Sequence, residues 1–204
     1  MFEEKKLVCG SQWVIDTYYP DYKELIPLMN FDPKFEYSHE TTAYKAKQFP
    51  VWTEPTLNSN YRFKIHDEYE PTPELVEQIH KIAKWAQAKI LQHRLFHTLT
   101  PAISWYVTYD EGGWQGMHTH DNNCITQIIY LDGINHMTTA DPKKEQGWGA
   151  MFALMQSKDN QKYVTFNSIP GRCIILPGTI YHGVYPVKSQ PRRTVVIDYF
   201  YKKP

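Results

Sequence analysis

The stretch that decides the fold runs from residue 101 to residue 131 and reads PAISWYVTYDEGGWQGMHTHDNNCITQIIYL. Two apolar and β-branched runs, Ile103–Tyr109 and Cys124–Leu131, lie on either side of a segment rich in turn residues and histidine. Val, Ile, Thr and Tyr favour a pleated, half-buried backbone, whereas the cluster Asp110–Gly113 interrupts it. The stretch therefore predicts two β-strands joined by a connection that carries polar side chains.

The rest of the second half repeats this pattern. Turn sequences at Ser157–Asn160, Ile169–Gly171 and Leu176–Gly178 separate short apolar runs. Many short strands between regular turns are typical of a β-sandwich or a β-barrel. The further strands predicted here are Ala150–Leu154, Lys162–Phe166, Cys173–Leu176 and Thr194–Tyr201.

The first half contains one strong helix signal. Thr72 can cap the helix, Pro73 suits its first turn, and apolar residues then recur at helical spacing through Gln92. Glutamates lie early and lysines late in this segment, an order that complements the helix dipole. We also predict a strand at Trp13–Tyr19, a short helix at Tyr22–Leu28, and mostly loop over residues 31–70.

The composition fits one folded domain. The chain has 204 residues, of which 42% are hydrophobic and 15% aromatic, enough for a real core and too many for disorder. We predict a single domain over residues 1–204, with residues 1–100 as strand and helix support and residues 101–204 as a catalytic core. Lys plus Arg equals Asp plus Glu at 22 each, so no global charge favours nucleic acid or an anionic membrane.

The cysteines and the N-terminus predict a reducing compartment. Cys9, Cys124 and Cys173 are odd in number, widely spaced and free of any CxxC pattern, so we expect buried, reduced thiols. The first ten residues, MFEEKKLVCG, carry charges where a signal peptide needs an apolar stretch. No apolar run approaches the ~20 residues that a membrane helix requires. We therefore expect a soluble, cytoplasmic protein.

The residues that can carry chemistry begin with a His-x-His pair. On an extended backbone, residues i and i+2 point to the same face, so His118 and His120 can converge on one metal ion. The pair alone is weak evidence, but His182 follows a strand and a Pro-Gly turn in LPGTIYHGVYP, residues 176–186. Together the three histidines predict a metal site. Asp121 adds a candidate carboxylate ligand, although a regular strand would point it to the opposite face.

Two arginines, Arg192 and Arg193, follow the third histidine by ten residues and open the last predicted strand. An arginine that points into a sheet needs a partner, because burial of an unpaired charge is unfavourable. A carboxylate ligand is one natural partner, since guanidinium binds it with two parallel hydrogen bonds. Arg192 shares strand parity with Thr194, Val196 and Asp198, so we predict Arg192 inward, assisted by the Thr194 hydroxyl, and Arg193 outward. The opposite parity, and a pair of charges that guards a sheet edge, are alternatives.

In this order of residues, the chain resembles the iron(II)/2-oxoglutarate-dependent oxygenase superfamily over residues 101–201. The hallmark of that superfamily is His-x-Asp/Glu, a distal His, and an Arg about ten residues further on. The pattern is most similar to the prolyl-hydroxylase branch, in which a strand ends in Tyr before a Gly-rich turn and a Cys-x-Thr-x-Ile-x-Tyr-Leu strand follows. This sequence has Tyr109-Asp-Glu-Gly-Gly and then Cys124-Ile-Thr-Gln-Ile-Ile-Tyr130-Leu131.

The resemblance implies a double-stranded β-helix, which is a cupin-like jelly roll, with flanking helices. It implies Fe(II) and 2-oxoglutarate as cofactors, and hydroxylation by dioxygen with release of succinate and CO2. His118 and His182 match metal ligands of the superfamily. Arg192 matches the residue that pairs with the far carboxylate of 2-oxoglutarate, and Tyr109 and Tyr130 match tyrosines that line the same pocket. The substrate, a peptide or a small molecule, is not specified by the resemblance.

One position departs from the superfamily pattern, because His120 stands where the acidic ligand is expected. Three neutral imidazoles can hold divalent iron. Asp121 is the rival third ligand, or a hydrogen-bond partner of a histidine N–H. The alternative functions are a three-histidine cupin-type metalloenzyme that uses no 2-oxoglutarate, and an inactive jelly-roll binding module. Tyr109 and Tyr130 as plain core aromatics are a further alternative.

Overall fold

Two antiparallel β-sheets and one long helix form the described part of the chain. A computed structural model describes residues 2–28, 37–38, 45–49, 72–95, 98–109, 114–120, 122–132, 149–187 and 192–202. For residues 37–38, 45–49, 106, 108–109 and 201–202 it describes the backbone alone. The predicted fold class, mainly β with a double-stranded jelly roll, is confirmed.

The larger sheet joins strands from both halves of the sequence. Its strands are β1 (Lys5–Cys9), β2 (Gln12–Tyr18), β3 (Tyr37–Ser38), β4 (Lys45–Phe49), β5 (Thr98–Tyr109), β7 (Cys124–Tyr130), β10 (Arg172–Pro177) and β12 (Arg192–Lys202). In space they follow the order β1-β2-β10-β7-β12-β5-β4-β3, and each neighbouring pair is antiparallel. The single-domain prediction stays a prediction, but β2 from the first half lies directly beside β10 from the second.

The smaller sheet carries two of the three histidines. Its strands are β6 (Gln115–His118), β8 (Met151–Gln156), β9 (Gln161–Phe166) and β11 (Tyr181–Val184), in the spatial order β6-β11-β8-β9. Its inner side chains pack against one face of the larger sheet, because alternate residues of a strand point to opposite faces. The buried residues between the sheets include Val107, Ile128, Ile174 and Val196 from the larger sheet and Met151, Ala153, Met155 and Val184 from the smaller.

Helix α1 (Pro73–Gln92) covers the other face of the larger sheet. The Thr72 hydroxyl accepts a hydrogen bond from the Leu75 backbone N–H at 3.3 Å, as a helix cap should, and Pro73 occupies the first turn. Because the larger sheet is covered on both faces, every residue of β7 is buried. The helix contributes Leu75, Ile79, Ile82, Ala83, Ala86 and Ile90 to this second core.

The predicted strands and the predicted long helix are confirmed. The largest difference in a strand end is at β5, which begins at Thr98 instead of Ile103. The predicted short helix at Tyr22–Leu28 is helical but not continuous: it consists of two 3-10 helices, Tyr22–Glu24 and Ile26–Leu28. Pro27 explains the difference, since a proline inside an α-helix lacks the N–H donor and its ring clashes with the carbonyl four residues earlier.

Several short strands without a clear alternating pattern were not predicted from the sequence. Within the stretch predicted as loop, β3 and β4 are strands that extend the edge of the larger sheet beyond β5. The remainder of residues 31–70 lies outside the described part of the chain. The short strands β1, β6 and β11 were also not predicted. Among the described residues, α1 is too polar to qualify as a membrane-spanning helix, and no other helix does.

Glu4 ties the N-terminal segment to strand β2 and to the end of α1. Its carboxylate accepts hydrogen bonds from the Thr17 hydroxyl and from Lys89 Nζ at 2.6 Å, and it contacts His93 Nε2 at 3.0 Å. Burial raises the pKa of Glu4, but the hydrogen bonds from Lys89 and Thr17 and the charge of Lys89 outweigh burial, so the pKa lies below its ordinary value of 4.5.

We predict that Glu4→Gln lowers the free energy of unfolding at pH 7 by about 1–2 kcal/mol, because charged hydrogen bonds to Lys89 are lost. Since the folded pKa of Glu4 is depressed, this stabilisation is present above pH 4.5 and is lost as the pH falls through the folded pKa. Denaturant unfolding of both proteins at pH 7 and at pH 3 measures the difference. The neighbouring exposed Glu3→Gln variant is the control, and equal losses from both variants would contradict the prediction.

Candidate active site

The three predicted histidines lie together at one end of the smaller sheet. His118 ends β6 and is the register partner of His182 on the adjacent strand β11. His120 lies two residues past β6, where its backbone N–H donates to the Gly178 carbonyl at 2.8 Å. The ring centroids are 4.3 Å apart for His118 and His182, 5.1 Å for His120 and His182, and 5.4 Å for His118 and His120. One ring nitrogen from each histidine lies within 4.8 Å of the others.

Each of these imidazoles has its Nδ1 atom engaged by an acceptor. His118 Nδ1 lies 3.0 Å from the Gly116 carbonyl, and His182 Nδ1 lies 2.9 Å from the Ile180 carbonyl. His120 Nδ1 lies 2.7 Å from an oxygen of Asp198. A carbonyl or carboxylate oxygen only accepts, so each Nδ1 carries the hydrogen and each Nε2 keeps its lone pair. Three such Nε2 atoms form a nitrogen donor set that suits a divalent transition metal.

Burial keeps two of these imidazoles, those of His118 and His182, in the form that binds metal. It lowers the pKa of His118, and it lowers the pKa of His182 well below 6.5, where the neighbouring imidazoles act in the same direction. A histidine must be neutral to donate its lone pair to a metal ion, because the protonated ring has none to offer. His118 and His182 are therefore available to bind a cation at neutral pH.

His120 has two further contacts that fix its ring. Its ring stacks on Trp105, with centroids 5.7 Å apart and planes 22° from parallel. Asp198, which holds His120 Nδ1 with one carboxylate oxygen, accepts the Thr126 hydroxyl at 2.7 Å with the other. The Cys124 thiol completes a second group with His120 and Asp198. Burial and then the charge of Asp198 raise the pKa of Cys124, so this thiol stays protonated in the absence of a metal ion.

A second group of polar side chains lies on the face of β12 that carries Asp198, closer to the start of the strand. Arg192 and Thr194 are both buried, and the Arg192 guanidinium carbon lies 4.8 Å from the centre of the Tyr130 ring. Tyr130 and Thr194 are register partners on β7 and β12. The Tyr130 hydroxyl is buried and has no hydrogen-bond partner among the described residues. Buried hydroxyls are rarely left without a partner, so a ligand oxygen fits here beside the guanidinium.

The remaining predicted site residues are placed as follows. Arg193 points away from Arg192 and pairs with Asp132, whose Oδ1 also accepts the Arg193 backbone N–H at 2.6 Å. The backbone of Tyr109 pairs with Arg192, but the Tyr109 side chain lies outside what the structure describes. Asp121, the rival third ligand, also lies outside the described residues.

Asp198, Thr126 and Trp105 are the site residues that the sequence analysis missed. The one available signal was parity, because Asp198 shares the strand face of Arg192 and Thr194. Thr126 is the threonine of the Cys-x-Thr-x-Ile-x-Tyr pattern, but the pattern gave it no role, and Trp105 had no signal, since their contact with the site depends on the register of β5 and β7 against β12.

Comparisons with known proteins agree with this geometry. Residues 103–198 match the family described as "Putative 2OG-Fe(II) oxygenase", and this range contains all three histidines and Arg192. No curated protein matches the chain in sequence.

Several solved structures share the fold at low sequence identity. A prolyl-4-hydroxylase from Pseudomonas putida is 13% identical, with a TM-score of 0.57 and 95% of each chain covered. An oxidoreductase of the 2OG-Fe(II) oxygenase family from Burkholderia pseudomallei is 12% identical, with a TM-score of 0.61 and coverage of 92% of this chain and 84% of that one. A prolyl hydroxylase from Trichoplax adhaerens, in complex with a peptide fragment of hypoxia inducible factor, is 16% identical, with a TM-score of 0.52 and coverage of 80% and 66%.

Structural likeness at these identities establishes the fold, and the family match covers the strands that carry the histidines. The family is an oxygenase family whose cofactors are Fe(II) and 2-oxoglutarate. Over residues 103–198, the stretch that carries the three histidines and Arg192, the chain therefore matches the iron(II)- and 2-oxoglutarate-dependent oxygenases, a family of enzymes.

Proposed function

We propose that His118, His120 and His182 hold the iron(II) through their Nε2 atoms. The observations that carry this proposal are the engagement of all three Nδ1 atoms by oxygen acceptors, which leaves the Nε2 lone pairs free, and a cluster in which one ring nitrogen of each histidine lies within 4.8 Å of the others. Imidazole nitrogen suits iron as well as zinc and copper. When bound, the iron supplies the activation of dioxygen that couples oxidation of 2-oxoglutarate, to succinate and CO2, to hydroxylation of a substrate.

We assign the third ligand to His120 instead of Asp121. His120 lies in the same cluster as the other two histidines, and Gly178, Trp105 and Asp198 hold its backbone and ring in place. A ligand held this way needs little reorganisation when the metal binds.

The far carboxylate of 2-oxoglutarate is proposed to bind Arg192. The guanidinium can offer two parallel N–H groups, and the Tyr130 and Thr194 hydroxyls on neighbouring strands can add hydrogen bonds. Tyr109 belongs to this proposal through the pairing of its backbone with Arg192. The protein atoms in this pocket bind and orient the co-substrate and exclude water from it.

The substrate that is hydroxylated is proposed to be a peptide or a small molecule. The fold-related enzyme from Trichoplax adhaerens binds a peptide fragment, which makes a peptide the first class to test. The cytoplasmic location also stays a proposal, supported by three cysteines that are free and buried.

A three-histidine metalloenzyme that uses no 2-oxoglutarate is the second candidate. The observation that favours it is the donor set itself, in which no carboxylate joins the three clustered imidazoles among the described residues. That class needs no arginine for a co-substrate, so variants at Arg192 separate the two candidates. An inactive binding module is the third, and it requires that the site bind no metal.

We predict that the wild-type protein binds Fe(II) under anaerobic conditions and that 2-oxoglutarate then produces a weak visible charge-transfer band near 500 nm (roughly, from the chelate chemistry). Mutation of a residue that hydrogen-bonds to a metal ligand typically weakens metal binding roughly 10–100-fold. His182→Ala removes a ligand itself, so we expect it to weaken Fe(II) binding by more than this. The control is His80→Gln, because His80 lies on α1, across the larger sheet from the site. Absence of both metal binding and the band in the wild-type protein would leave the binding module.

We predict that Arg192→Ala weakens binding of 2-oxoglutarate to the Fe(II) protein on the order of 10–100-fold, because hydrogen bonds to a charged group contribute about 1.5–3 kcal/mol. Anaerobic titration, followed by the visible band or by calorimetry, gives the Kd without knowledge of the substrate. Arg193→Ala is the matched control one residue away, and we expect it to leave this Kd nearly unchanged. An unchanged Kd in Arg192→Ala would favour the three-histidine metalloenzyme.

A further inference from the structure

We propose that Asp198 is a positioning residue that supplies, through His120, the negative charge that a carboxylate ligand would otherwise place on the iron. This inference rests on the proposed function, because it assumes that His120 is a metal ligand. It concerns a residue that belongs to no sequence motif of the site and that lies 78 positions beyond its histidine partner.

The carboxylate of Asp198 is aimed at His120 by the pairing of two strands. Asp198 and Thr126 are register partners on β12 and β7, and the Thr126 hydroxyl donates to Asp198 Oδ1 at 2.7 Å across the ladder. This bond leaves Oδ2 turned toward His120, where it accepts from Nδ1 at 2.7 Å. Both oxygens are therefore used, and the orientation of the carboxylate is set by the sheet and not by a loop.

A charge count explains why this site needs such a residue. In the usual facial triad of these oxygenases, two neutral imidazoles and one carboxylate give the iron ligands a total charge of −1. Three neutral imidazoles would give zero. With Asp198 ionised and hydrogen-bonded to His120, the imidazole and carboxylate together carry −1, so the charge is restored one hydrogen bond further from the metal. The same hydrogen bond raises the basicity of Nε2 and fixes the tautomer of His120.

The burial of Asp198 also supports a role next to a bound cation. The side chains of His120 and Asp198 are only 10% and 15% exposed. The described contacts of the carboxylate come from a hydroxyl, an imidazole and the Cys124 thiol, and none of them is a permanent cation. A largely enclosed carboxylate is unfavourable without a nearby positive charge. A divalent cation held by the three histidines would provide that charge.

The Trp105 ring provides a second contact that orients the His120 imidazole, and this contact carries no charge. The Trp105 ring stacks on the imidazole and restrains the ring plane independently of Asp198. Replacement of the carboxylate by an amide of the same shape should therefore change the charge at the site more than the position of His120.

The test is an anaerobic titration of Asp198→Asn with Fe(II), followed by addition of 2-oxoglutarate. We expect Fe(II) binding to weaken about 10–100-fold relative to wild type. We also expect the charge-transfer band to move to shorter wavelength, because iron with a less negative ligand environment gives up its electron less readily. A purely structural role for Asp198 would not move the band.

Two further variants make the result specific. Asp132→Asn is the matched control, since Asp132 also links the end of β7 to β12 but through Arg193, away from the histidines, and it should leave Fe(II) binding unchanged. The double variant His120→Asp with Asp198→Asn places the carboxylate in the ligand position and should regain most of the lost affinity. If Asp198→Asn binds Fe(II) as tightly as wild type and keeps the band in place, the inference is wrong while the iron site itself stands.

A failure of the proposed iron site gives a different result, because wild type would then bind no Fe(II) at all, and the inference would fall with it. If Asp198→Asn does not fold, Thr126→Val provides the test. It retains the carboxylate but removes the hydroxyl that aims Oδ2 at His120. Weaker Fe(II) binding than wild type supports the inference, and unchanged binding contradicts it.

Discussion

The site depends on the register of β12 between its neighbours β5 and β7. Along β12, Val195, Ile197 and Tyr199 pack under α1, while Arg192, Thr194 and Asp198 lie on the opposite face. Because side chains alternate, a slip of one residue would exchange the two sets and turn charged groups into the helix-side core. The register thus decides at once where the core lies, where the guanidinium lies and which carboxylate reaches His120.

Buried polar pairs secure this register on both faces of the sheet. On the site face, Thr126 donates to Asp198, and on the helix face the Tyr199 hydroxyl donates to Gln127 at 2.5 Å. Burial raises the pKa of Tyr199 well above 10.0, so its hydroxyl remains a donor. Apolar contacts tolerate small shifts, but a buried polar group that loses its partner carries the full desolvation penalty, about 1–3 kcal/mol. Two such pairs in adjacent positions therefore disfavour alternative pairings of β7 and β12.

Features that depend on short stretches of sequence could be predicted, whereas contacts that depend on the pairing of distant strands could not. The alternation of strands and turns is local, so the fold class could be predicted, and the spacing of His118 and His120 and the turn before His182 are local, so the clustering of the three histidines could be predicted. The contact between Asp198 and His120 joins residues 78 positions apart, and only the antiparallel register brings them together. The unpredicted short strands have a similar cause, since each takes its shape from its neighbours more than from its own periodicity.

The enclosure of Cys124 has a consequence for the lifetime of an enzyme that handles oxygen. Oxidants attack the thiolate and hardly touch the protonated thiol. Burial raises the pKa of Cys124, and the anionic Asp198 beside it raises the pKa further, so almost no thiolate forms. The carboxylate next to the histidine cluster therefore also protects the nearest sulfur. A cycle that fails to transfer its oxygen to the substrate then has no easily oxidised cysteine at this position to damage.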